Sequence, residues 1–124
     1  MNRYKEWIKR AKSDYKFSCI PIEDDMYYED ACFHAQQTVE KAFKGLLLYY
    51  GFETSFTHDI SLLIKELKKY TDVPTKLNKS IELTKYAHKT RYPGNYKDIP
   101  EEEYKRMIEI ARDCLVWVES KITE

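Results

Sequence analysis

Apolar residues recur along this chain at three- and four-residue steps, and no stretch alternates with period two, so the pattern predicts helices throughout. Tyr4, Trp7, Ile8, Ala11, Tyr15 and Ser18 place a first helix over residues 2–18, and Pro21 limits its continuation. A second helix is expected over residues 27–50. With Val39 at its centre, Cys32, Ala35, Phe43, Leu46 and Tyr50 share one face, and Gly51 stands where a left-handed C-cap belongs. Gln36 falls inside that apolar arc. An unsatisfied buried amide costs roughly 1–3 kcal/mol, so it must answer a partner group: an internal loop, a second subunit, or the Arg91 side of a pocket. Residues 46–50 are apolar on every side and call for cover from the bundle or from a second copy.

Thr57 or Asp59 can cap a third helix with the stripe Ile60, Leu63, Ile64 and Leu67, which Pro74 closes. A fourth helix is expected over residues 75–90 with a seam of Leu77, Ile81, Thr84 and His88. Arg91 follows on that seam, so His88 and Arg91 are expected on one face. Pro93-Gly94-Asn95 reads as a turn. Asp98-Ile99-Pro100-Glu101 reads as a capping box opening the last helix, with Glu101, Glu102 and Glu103 suited to its dipole. Its buried face is expected to hold Tyr104, Met107, Ile108, Ala111, Leu115, Val118 and Ile122. The fold class is therefore all-α, an antiparallel up-and-down bundle of four to five helices, with residues 1–124 as a single domain.

Charge narrows the function only by exclusion. Lys and Arg number 21 against 21 Asp and Glu, so no global field draws the chain to nucleic acid or a membrane, and any phosphate contact must be local. There is no apolar run of membrane-span length and no secretory-type N-terminus. Cys19, Cys32 and Cys114 are odd in number, far apart and without metal spacing; they fit reduced thiols in a cytoplasmic protein. His34, His58 and His88 show no ligand spacing, and neither a metal nor a cofactor is expected.

The strongest candidate chemistry gathers after Thr84. Lys85, Lys89, Arg91 and Lys97 are interleaved with Tyr86, Tyr92, Tyr96 and His88, without an acidic residue among them. Arginine forks onto phosphate oxygens, tyrosine rings stack on bases, and histidine moves protons near neutrality. The lysines also have a structural reason to be there, since cations complement a helix C-terminus. Elsewhere His34 lies in a polar strip with Gln37, Lys41 and Lys44, expected to face solvent or a partner. Glu40 and Lys44 read as an ordinary surface pair, and His58 as a loop residue beside Asp59. No nucleophile with its base and no glycine-rich phosphate loop is present.

Three pieces in order resemble the HEPN domain family: Cys32-Phe33-His34-Ala35-Gln36-Gln37-Thr38-Val39-Glu40-Lys41-Ala42 with Gly51, then Thr57-His58-Asp59-Ile60, then Thr90-Arg91-Tyr92-Pro93. The resemblance implies a cytosolic helical bundle, commonly a homodimer, in prokaryotes often encoded beside a minimal nucleotidyltransferase. Many such proteins are ribonucleases acting as toxins or in defence; others bind nucleotides or only their partner. The ribonuclease members place a histidine shortly after an arginine. Arg91 matches the arginine, but Tyr96, Lys97 and Asp98 stand where the histidine would fall.

The expected function is thus a HEPN protein of toxin–antitoxin or defence type. It would bind a nucleotide, RNA or a nucleotidyltransferase partner through Lys89, Arg91, Tyr92, Tyr96 and Lys97. The alternatives are a metal-independent ribonuclease using Arg91 with His88, and a non-enzymatic dimeric adaptor built on residues 46–50. Tyr92 and Tyr96 are candidates for modification by the partner enzyme.

Overall fold

A computed structural model describes residues 3–53, 56–87 and 98–122. Four α-helices and one 3-10 helix follow in order: α1 (Arg3–Ser18), α2 (Tyr28–Tyr49), α3 (Ile60–Leu67), the 3-10 helix (Thr75–Tyr86) and α4 (Glu101–Lys121). Among the described residues there is no strand, and the helices form the expected antiparallel bundle.

The second helix is the axis. It packs against all four other helices, and Cys32, Ala35, Val39, Phe43 and Leu46 are fully buried, as the helical period predicts. Its C-terminal turns are covered by the chain itself. Leu46 and Leu47 are buried, while Tyr50 stacks on Tyr70 at 5.5 Å and Tyr4 meets Tyr49 edge-on at 5.2 Å. Leu48, Tyr49 and Tyr50 stay half-buried, so much of the apolar surface of residues 46–50 is covered within the chain. Gly51 ends the helix at φ 91°; its N–H donates to Leu48 O and that of Phe52 to Leu47 O, both at 2.9 Å, which is a Schellman closure. Gly45 lets α1 approach: a Cβ there would lie 2.7 Å from Ile8 Cδ1.

Three expectations are corrected. First, the segment after Pro74 is not an α-helix. Its buried residues are Leu77, Ser80, Leu83 and Tyr86, spaced by three, the repeat of a 3-10 helix; Ile81 is 40% exposed instead of lying on the seam. His88 and Arg91, expected to share one face, lie outside the described residues. Second, Pro100 occupies the N-cap position of α4, and no side-chain capping bond forms among the described residues, so the capping box is absent. The acidic first turn stands, and the buried face gains Ile110 and Cys114. Third, the strip of His34, Lys41 and Lys44 is not simply solvated: Lys44 is buried, and His34 and Lys41 are half-buried. Asp14 of α1 reaches it, accepting from His34 Nδ1 at 2.9 Å and Lys41 Nζ at 2.6 Å.

Asp59 does cap α3, accepting from Ser61 N at 2.9 Å. The preceding N–H, that of Ile60, donates to Thr84 Oγ1 at 3.2 Å, which fastens the start of α3 to the 3-10 helix.

Candidate functional site

All six residues singled out for binding or catalysis, His88, Lys89, Arg91, Tyr92, Tyr96 and Lys97, lie outside the described residues. What the structure defines is the frame on either side. Tyr86 closes the 3-10 helix with its ring buried, and its hydroxyl donates to the Glu103 carboxylate in the first turn of α4. Lys85 Nζ pairs with the same carboxylate at 3.1 Å. One acidic side chain thus ties the chain just before residues 88–97 to the helix that follows them.

The chemistry of this clasp is consistent. The Tyr86 hydrogen bond holds the Glu103 carboxyl below its ordinary value, against a smaller effect of burial, with Lys85 adding to the lowering. Burial, then the Glu103 hydrogen bond, push the Tyr86 phenol far above its usual value, so it stays a donor. Nearby, burial raises the Cys32 thiol to about 12 and the Glu103 charge adds to it.

A second cluster was not legible as such in the sequence. Glu40, which reads there as half of a surface pair, is 4% exposed, and its carboxylate gathers three donors. Lys44 Nζ reaches Oε2 at 2.7 Å, Gln36 Nε2 reaches Oε1 at 2.8 Å, and His58 Nδ1 lies 3.0 Å from Oε1. Burial alone would push the Glu40 carboxyl up; the hydrogen bonds from Lys44, Gln36 and His58 more than offset it and leave it below the ordinary value. Gln36 answers the question its position posed: it accepts from Gln37 Nε2 at 2.6 Å and reaches the His58 carbonyl at 3.5 Å, so it clamps an internal loop.

His58 closes the cluster from the solvent side, with 58% of its side chain exposed. An ionised carboxylate only accepts, so Nδ1 carries the hydrogen and the other ring nitrogen, Nε2, is left as an acceptor when the ring is neutral. A carboxylate that fixes an imidazole in this way equips it for proton transfer. No local sequence signal announces the cluster: Glu40 and Lys44 stand one turn apart on α2, but His58 reaches them from the connection before α3. Among the described residues no group of His, Cys, Asp or Glu is placed to hold a metal ion, and no helix is long and apolar enough to cross a membrane.

Comparison with known proteins gives a consistent result. A family model described as HEPN domain matches residues 4–121. The crystal structure of TT1696 from Thermus thermophilus is similar at 32% identity with a TM-score of 0.82, over 98% of this chain and 100% of that one. That of ST0689, described as an archaeal HEPN homologue, is similar at 33% identity with a TM-score of 0.76, over 99% and 100%. No curated protein matches.

Proposed function

The chain belongs to the HEPN family, and on that footing we propose that it binds a nucleotide through the basic, tyrosine-bearing segment that holds Lys89, Arg91, Tyr92, Tyr96 and Lys97. The observation that carries this reading is the clasp of Lys85, Tyr86 and Glu103, which fixes both flanks of that segment to one corner of the bundle. From Lys89 to Lys97 the sequence carries three cations and no acidic residue. A phosphate group would find charge and fork-shaped donors there, and tyrosine rings offer a base a stacking surface. The test is titration with ATP of the chain and of the Arg91→Ala and Tyr96→Ala variants. Each substitution is expected to weaken binding about tenfold or more, a loss of roughly 1–3 kcal/mol. Affinities unchanged in both variants overturn the reading.

Ribonuclease action is the second reading, and the Glu40–His58 pair favours it. That pair supplies an imidazole with its tautomer set by a buried carboxylate, so His58 joins His88 as a candidate proton-transfer partner for Arg91. Cleavage of a labelled structured RNA in EDTA, lost in Arg91→Ala, would establish the activity, and His58→Ala beside His88→Ala would assign the histidine. No cleavage by the unaltered chain removes this reading and leaves nucleotide binding standing.

A further inference from the structure

At the far end of α1 the charge balance of the chain breaks locally. From Phe17 to Val39 there is no lysine or arginine, and five carboxylates, Glu23, Asp24, Asp25, Glu29 and Asp30, occur in that stretch. The same stretch exposes large apolar side chains: Phe17 is 53% exposed, Ile20 43% and Met26 40%. These features coincide in a groove of about 270 Å³ between the end of α1, the connection to α2 and the first turns of α2.

The walls of the groove are built rather than incidental. Phe17 stacks on His34 with ring centres 5.3 Å apart, and His34 is itself held from behind by the buried Asp14. Asp25 and Asp30 line the groove beside Met26 and Ile20. Several carboxylates elsewhere on the bundle meet cations: Asp14 with Lys41, Glu40 with Lys44, Glu82 with Arg106, Glu119 with Lys12. Neither Asp25 nor Asp30 pairs with a cationic side chain among the described residues. A contiguous apolar surface rimmed by unbalanced carboxylates suits a ligand that is apolar on one side and cationic at its edge.

We propose that this groove docks a basic amphipathic segment of a partner protein, with apolar side chains seated against Phe17, Ile20 and Met26 and lysines or arginines meeting Asp25 and Asp30. The carboxylates exclude the alternatives that charge can exclude: a phosphate backbone or an anionic membrane would be repelled. Among peptide recognition modes, an amphipathic helix laid in an apolar groove fits these features. The surface carries none of the residues assigned to nucleotide binding, so the two sites can be altered separately.

The probe is a fluorescent synthetic peptide of about 15 residues, with leucine at helical spacing and lysine elsewhere, long enough to hold a helix on the surface. Fluorescence anisotropy should show saturable binding that Asp25→Lys with Asp30→Lys weakens about tenfold, as loss of two exposed charge contacts and added repulsion require. Phe17→Ser should weaken it comparably, with an unchanged far-UV spectrum showing that the bundle is intact. The same charge change made on α4 and before Pro74, Glu109→Lys with Asp72→Lys, should leave binding unchanged. Equal weakening by that control, or binding indifferent to Phe17→Ser, overturns the proposal by showing non-specific attraction. A dimer in light scattering that Phe17→Ser dissolves also overturns it, since the occupant is then a second copy of this chain.

Discussion

Glu40 and Lys44 form an ion pair of 2.7 Å one helical turn apart on α2, with only 5% and 6% of their side chains exposed. At a surface such a pair contributes a few tenths of a kcal/mol. Buried, it changes character, because each charge has left water and depends on the other. Removing one partner is therefore the damaging change. Lys44→Met should destabilise the bundle by about 3–5 kcal/mol, and the double variant Glu40→Leu with Lys44→Met should be less destabilised than Lys44→Met alone. Urea unfolding of the set would show it, and a double variant at least as unstable as the single would refute it.

The same carboxylate sets part of the acid sensitivity. Its folded pKa lies below the ordinary value, so its contribution to stability is complete above that value and is lost as pH falls through the folded one. The urea midpoint of the wild type should fall as pH is lowered from about 5 to about 3, and Glu40→Gln should flatten that fall.

Spacing by three along the 3-10 helix separates two neighbouring aliphatic positions. Leu83 is fully buried and Ile81 is 40% exposed. Leu83→Ala should cost about 2–5 kcal/mol and Ile81→Ala no more than about 0.5 kcal/mol. Reversed magnitudes would restore the α-helical seam and remove the 3-10 assignment.

Two glycines should fail for different reasons. At Gly51 nothing lies within 4 Å of an added Cβ, so the cost of Gly51→Ala comes from its φ of 91°, about 1–2 kcal/mol, and Gly51→Asn should recover part of it. At Gly45 the backbone is helical, but the new methyl would meet Ile8 Cδ1 at 2.7 Å and Trp7 Cβ at 3.2 Å. Overpacking of about 1–3 kcal/mol should exceed the gain of about 1 kcal/mol in helix propensity. Thermal unfolding of the three variants decides both points.

Thiol reactivity should be uneven. Burial raises Cys32 and Cys114 to about 12 and hides both, whereas Cys19 is exposed. Under native conditions Ellman's reagent should modify Cys19 quickly and the other two only on unfolding.

The apolar half of this fold was readable in the sequence because burial on one face leaves a periodic trace. The Val39 face of α2, the Ile60–Leu67 stripe and the glycine cap all appear where that trace puts them. The polar half was not. A wheel shows which residues share a side but not what covers it, so Lys44 and His34 read as surface residues until α1 supplied Trp7 and Asp14. The 3-10 helix escaped because Leu77, Ile81 and Thr84 fit an α-helical seam as well as Leu77, Leu83 and Tyr86 fit a three-residue one. His58 and Glu40 are far apart in sequence, so no local spacing could announce their contact. For the candidate site the residue types were legible and their surroundings were not; the clasp of Lys85, Tyr86 and Glu103 depends on contacts between two helices.

That clasp bears on how such a protein can diversify. Through Glu103 the 3-10 helix and α4 meet by contacts of their own, made by Tyr86 and Lys85 on one side and a carboxylate on the other. Doubling the length of a connection closed in this manner costs only about 0.6 kcal/mol in closure entropy. A change of ligand in such a lineage therefore need not touch Lys85, Tyr86 or Glu103, and the contact between the two helices can be inherited while the chemistry beside it is exchanged.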